Sequence, residues 1–143
     1  MTRVNRVRLS ALFGLSLGLA VGPVAADVVA VVSSTSEVTA LSKAQVADIF
    51  LGKVSRFANG AQAVPIDQQE GSPARDEFYL AYAGKSAAQM KSHWAKIIFT
   101  GRGQPPKTVS SGVEVKKLIA ANPHAIGYIE RSSVDSSVKV LQR

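Results

Sequence analysis

The chain has 143 residues, no cysteine and a formal charge of +7. Without cysteine it can have no disulfide framework and no lipid-anchored cysteine, so an ordered domain has to rest on its apolar core. No Lys/Arg run is interleaved with aromatic residues, a pattern that argues against nucleic acid as a partner.

Residues 1–26 read as a cleaved signal peptide. Arg3, Arg6 and Arg8 form a basic start, Leu9 to Gly22 is apolar and uncharged, and Val24-Ala25-Ala26 offers small residues for cleavage. That apolar run is shorter than the roughly 20 residues a membrane-spanning helix needs. The expected mature chain, residues 27–143, suits one compact domain and is too short for two ordinary ones. Without the three early arginines, fourteen basic residues remain against ten acidic ones, a surplus of about four that mildly favours anionic ligands. A soluble protein of a bacterial periplasm is the expectation.

From Asp27 onward the pattern alternates between strands and helices. Val28 to Val32 is an unbroken apolar run of a buried strand, followed by the polar loop Ser33-Ser34-Thr35-Ser36. Leu41-Ser42 introduces a helix with Val46, Ile49 and Phe50 on one face and Gly52 as its stop. After a turn at Asn59-Gly60, Ala63 to Ile66 forms a second strand and Pro73 to Ala83 a second helix. Ser86 and Gln89 make a capping box for a third helix, whose inner stripe is Met90, Trp94, Ile97 and Ile98. Gly101 to Lys107 reads as a loop. Ser111 and Glu114 make a second capping box for a helix buried through Val115, Leu118 and Ile119, broken by Asn122-Pro123. Ala125 to Ile129 and Val138 to Leu141 close the chain as strands. Such alternation predicts an α/β domain with a small mixed sheet flanked by about four helices.

The turn after the second strand carries the strongest chemical signal. Gly71 relaxes the turn, Ser72 caps the second helix, and Pro73 fills the first helical position, where its missing N–H costs nothing. Backbone N–H groups around Ala74 and Arg75, the positive end of the helix dipole and the Arg75 side chain converge there, as an anion site requires. The same residues also fit a plain capped helix with a solvated Arg75. Asp67, Glu70, Asp76 and Glu77 surround the turn, either to hydrogen-bond a protonated oxyanion or to solvate the loop. Ser33, Ser34 and Thr35 either add hydroxyl donors or simply connect two elements. His93 and His124 show no metal-ligand spacing, and no Ser lies in a nucleophile elbow, so neither a metal nor a cofactor nor an enzyme is expected.

Three segments, in order, resemble the periplasmic phosphate-binding proteins of ABC transporters, the PstS-like family. Leu41 to Lys53, ending Ile49-Phe50-Leu51-Gly52-Lys53, is similar to a helix of that family ending Ile-Phe-x-Gly-Lys. Gly71-Ser72 with Arg75 and Phe78 resembles its Gly-Ser-Gly-Thr loop, and Asn122-Pro123-His124-Ala125-Ile126-Gly127-Tyr128-Ile129 resembles its late Asn-Pro-x-Ala-Ile-Gly-Tyr segment. The resemblance implies a single lobe of a type II periplasmic-binding-protein fold over residues 27–143.

The resemblance further implies a non-enzymatic protein that binds phosphate or a similar small oxyanion for transport or sensing. Gly71, Ser72, Ala74 and Arg75 would contact the ligand, with Ser33, Ser34 and Thr35 as further candidates. An inner-membrane transporter or sensor, or a homodimer, would supply the second surface of the cleft. This chain departs from the loop pattern at Gln68, Pro73 and Ala74, where the family has Arg, Gly and Thr. Those departures leave open an alternative, a ligand-free lobe that docks on a membrane sensor or transporter.

Overall fold

A computed structural model describes residues 27–141 together with Gly18. The rest of the segment read as a signal peptide, residues 1–26, lies outside the described residues. The order is β1 (Val28–Ser33), α1 (Lys43–Phe50), β2 (Val64–Gln68), α2 (Pro73–Ala83) and α3 (Ala87–Phe99). Then come β3 (Lys107–Val109), α4 (Gly112–Ala121), β4 (Ala125–Glu130), a short 3-10 turn at Arg131–Ser133, and β5 (Val138–Val140).

The strands form one mixed sheet in the order β3-β2-β4-β1-β5. β2 is parallel to β3 and β4, whereas β1 is antiparallel to both β4 and β5. The fold is therefore the expected α/β lobe, a small mixed sheet carrying four helices.

Side chains leave the strands alternately to the two faces, and each face has its own core. Val28, Ala30, Val32, Ile126 and Tyr128 join Phe50, Phe78, Tyr79, Met90 and Trp94 beneath α1, α2 and α3. Val29, Val31, Ile66, Ala125 and Ile129 meet Val115 and Ile119 of α4 on the other face. Gly127 permits that second contact: a Cβ there would lie 2.6 Å from Val115 Cγ1 and 3.1 Å from Ile119 Cδ1.

The serine caps form as their spacing requires. Ser42 with Gln45 and Ser86 with Gln89 make reciprocal capping boxes, and Ser72 caps α2 ahead of Pro73. The expected box at α4 is only half made. Ser111 Oγ accepts from Glu114 N, but the Glu114 carboxylate reaches one residue further back and accepts from Ser110 N at 3.1 Å.

Three other expectations change. β2 runs on to Gln68, which takes Asp67 and Gln68 into the sheet. Lys107 is not the end of a loop but the start of β3, which pairs with Ile66, Asp67 and Gln68. Ile98 is not inward-facing; it is 55% exposed. α3 packs chiefly on α2 and, through His93 and Trp94, on Leu51 and Gly52 after α1, and so narrow a contact buries Met90 and Trp94 while leaving Ile98 in solvent.

Candidate functional site

The β2–α2 turn stands where the sequence places it. Gly71 adopts φ 86°, a left-handed conformation that glycine enters without a Cβ clash, and Ser72 follows as cap. Ser72 Oγ accepts from Arg75 N at 3.4 Å and donates to Gln68 Oε1 at 3.0 Å, so the hydroxyl ties helix to strand. Gln68 is itself fixed, its Nε2 donating to the Tyr128 carbonyl at 3.2 Å. The start of α4 arrives at the same place, since a Cβ on Gly112 would lie 3.9 Å from Gln68 Nε2.

Arg75 is not the solvated side chain of the plain-cap reading. Its side chain is only 11% exposed, its Nε lies 3.8 Å from Asp67 Oδ2, and its guanidinium sits 5.6 Å from the centre of the Tyr79 ring. Among the described residues its terminal nitrogens donate to no acceptor, which leaves the outer edge of the guanidinium fork open to a ligand.

Asp67 anchors this arrangement from below. It does not solvate the turn: it is 1% exposed, and both carboxylate oxygens are engaged. Tyr79 Oη donates to Oδ2 at 2.6 Å, while Oδ1 accepts from Tyr128 Oη and from Gln68 N. Gln68 N also reaches Tyr128 Oη at 3.1 Å. Burial, then the adjacent Asp67 charge, drives both phenols well above the usual tyrosine range, so they remain neutral donors. Phe78 stacks on Tyr128 with ring centres 4.0 Å apart, which fixes the phenol from its face. A buried charge is tolerable only with this degree of satisfaction.

Beside the turn lies a recess of about 240 Å³, lined by Gly71, Arg75, Tyr79, Met90 and Lys91, and also by Glu70 and Asp76. Two cations and a helix N-terminus thus share the recess with two carboxylates. An anion there gains from Arg75, Lys91 and the backbone N–H groups, and loses part of that gain to Glu70 and Asp76.

Ser33, Ser34 and Thr35 are not brought to this turn. β1 is antiparallel to β4 while β2 is parallel to it, so the carboxyl end of β1 lies beside Ala125 and the start of β2. At about 3.3 Å per residue, the length of β2 puts the two groups some 15 Å apart. Ser33 is fully buried, its Oγ is shared with Thr35 Oγ1 at 2.9 Å and reaches the Ala120 carbonyl at 3.5 Å, and Ser34 N donates to the Ser137 carbonyl, which ties the loop to α4 and to the turn before β5.

The Asp67–Tyr79–Tyr128 network was not evident from sequence. Its one signal is an acidic residue continuing an apolar strand directly, in a chain with only three tyrosines. Phe78 and Tyr79 are core residues and Tyr82 is half-buried. Among the described residues no group of three or more His, Asp or Glu side chains is arranged to hold a metal ion. Nor is any helix there long and apolar enough to cross a membrane.

The mixed sheet, the capped turn at the end of β2 and the helices on both faces define one lobe of a periplasmic-binding-protein fold. Solved structures bear this out. A protein from Clostridium perfringens, described as a phosphate ABC transporter substrate-binding protein and holding phosphate, is 25% identical with a TM-score of 0.61, over 80% of this chain and 44% of that one. An ABC-type phosphate transport receptor from Vibrio cholerae is 22% identical with a TM-score of 0.63, over 81% of this chain and 45% of that one. PstS from Borrelia burgdorferi is 16% identical with a TM-score of 0.53, over 81% of this chain and 46% of that one. The chain thus spans less than half the length of these proteins. No family model and no curated protein sequence matches it.

Proposed function

We propose that this chain is an exported, non-enzymatic solute-binding protein that takes phosphate or a similar small oxyanion at the β2–α2 turn. It would act in the periplasm, in uptake by an ABC transporter or in sensing at the inner membrane. The observation that carries this reading is the posture of Arg75. Asp67 and Tyr79 hold its guanidinium beside the N-terminus of α2, while its terminal nitrogens face no protein acceptor among the described residues. A planar donor pair held in place suits two oxygens of a tetrahedral anion. Ala74 N and the dipole of α2 add neutral attraction. Ser72 would contribute only by releasing Gln68, since its one proton is already donated there.

The site is half of a cleft. Asp67 offsets much of the Arg75 charge, Glu70 and Asp76 oppose an anion, and among the described residues nothing closes over the recess to exclude water. Binding by the lobe alone is therefore weak, about millimolar, a free energy near 4 kcal/mol. A second copy or a membrane partner covering the recess would tighten it.

Calorimetry at low salt with phosphate, sulfate and a phosphonate tests the reading. Phosphate-selective heat that disappears in Arg75→Ala and is strongly reduced in Arg75→Lys supports it. The lysine variant keeps a cation beside Asp67 and loses the planar fork, so it separates lost binding from lost folding. No heat from any of the three anions at millimolar concentration would sink it.

A further inference from the structure

We propose a second binding site in this lobe: the groove between the C-terminal end of α1, α3 and the 101–107 loop, taking an organic anion with an apolar or aromatic body. It stands on observations separate from the β2–α2 turn. The groove is about 710 Å³, within the range of small-molecule pockets, whereas the recess beside Arg75 is about 240 Å³. It also lies elsewhere on β2: Val64 and Pro65, at the start of that strand, line the groove, and Ser72 follows the strand's far end.

The lining divides into an apolar floor and a basic rim. Ile49, Leu51, Trp94 and Ile97 supply the floor, and Pro105-Pro106 forms one wall whose φ angles are fixed by the proline rings. Lys53, His93, Arg102 and Lys107 stand around it, and no Asp or Glu lines it. Lys53 is 3.9 Å from Asp48 in an exposed pair, but among the described residues neither Arg102 nor Lys107 lies within ion-pair distance of a carboxylate. His93 donates from Nε2 to the Leu51 carbonyl at 2.9 Å, which fixes the ring at the groove edge. Trp94 Nε1–H is buried and donates to no acceptor among the described residues.

The two parts of the lining narrow the ligand. A bare inorganic anion would satisfy the rim and leave the floor wet. A neutral apolar molecule would cover the floor and leave the cations unmatched. An anion of carboxylate, sulfonate or phosphate type on an apolar body answers both, through area burial and charge complementarity together. The concave shape and volume commit the site to a small molecule, not a protein surface.

Trp94 is the only tryptophan in the chain, so its emission reports on the groove directly. The test uses the full-length protein and two fluorescent probes of one shape, anionic 1-anilinonaphthalene-8-sulfonate and neutral N-phenyl-1-naphthylamine. The expected result is saturable energy transfer from Trp94 to the anionic probe, with the neutral probe binding about tenfold more weakly or worse. Arg102→Glu/Lys107→Glu, changed at two exposed positions, should weaken the anionic probe by about tenfold while leaving the thermal midpoint and the neutral probe unchanged. Arg75→Lys should leave the anionic probe unaffected. Equal binding of both probes, indifference to the double charge reversal, displacement by millimolar inorganic phosphate, or loss of binding in Arg75→Lys would each overturn the proposal.

Discussion

The two faces of the sheet are built from different materials, and each carries an ion pair. Under α1, α2 and α3, aromatic rings dominate: Phe50, Phe78, Tyr79 and Tyr128 meet edge-on or stacked, and the Asp67 carboxylate is buried among them with Arg75 beside it at the edge of the recess. Under α4 the contact is aliphatic, Val115 and Ile119 against Val29, Val31 and Ile129. Its pair, Lys116 to Asp135 at 3.0 Å, lies at the surface. Aromatic side chains can bury polar tips, so tyrosines bring hydroxyl donors into a core where an aliphatic face would offer none. The face that can support a buried charge is the face that bears the candidate anion site. The aliphatic face holds the sheet together and leaves chemistry to the other side.

The contrast breaks most visibly at Asp67. Asp67→Ala leaves two phenols and the Arg75 guanidinium without their acceptor, and should cost about 3–5 kcal/mol in urea unfolding. A loss below 1 kcal/mol would mean the network is peripheral to the fold. Alkaline titration probes the same network without a mutation. Tyr79 and Tyr128 hold their protons more tightly when folded than when unfolded. Their contribution is therefore complete below about pH 10 and falls as the pH rises above it. Tyrosinate absorbance should show these two phenols ionising only together with cooperative unfolding; early, non-cooperative ionisation of all three tyrosines would contradict the buried network.

On the aliphatic face the sensitive position has no side chain. Gly127→Ala drives a Cβ against Val115 and Ile119, a stiff pair of side chains, and overpacking of this kind costs about 1–3 kcal/mol. The same loss should appear in thermal unfolding while phosphate affinity in calorimetry stays unchanged. A parallel loss of anion binding would show that the two faces are mechanically coupled.

How much of this was legible in the sequence follows the same division between local and distant causes. Helix starts were readable because a serine cap and its partner lie three residues apart, as at Ser42, Ser72 and Ser86. β1 was readable from five consecutive apolar residues. β3 was not, because Lys107-Thr108-Val109 has no pattern of its own and becomes a strand only by pairing with β2. The position of Ser33-Ser34-Thr35 depends on the direction of β1, which is set by its antiparallel partners and not by the loop. The role of Asp67 depends on hydroxyls 12 and 61 positions away, which no local window contains. Trp94 was expected in the core, and so it is, but its place in the floor of a basic groove depends on the 101–107 loop folding back across α3.

The surface pair on the aliphatic side supplies the smallest test and the control for the largest. Asp135 accepts from Ser137 N at 2.9 Å and from Ser137 Oγ, and Lys116 stands beside it. The Ser137 hydrogen bonds first, then Lys116, lower its carboxyl from 3.8 to about 2. A depressed carboxyl stabilises the fold above its unfolded value and loses that contribution as the pH falls towards about 2. Asp135→Asn should therefore differ from the parent only slightly at neutral pH, and the difference should close as both are acidified. Salt should shrink it as well, because solvent screens an exposed pair; the loss caused by Asp67→Ala should barely respond to salt. If Asp135→Asn proves as damaging as Asp67→Ala, burial is not what distinguishes the two faces, and the case for a specialised aromatic face fails.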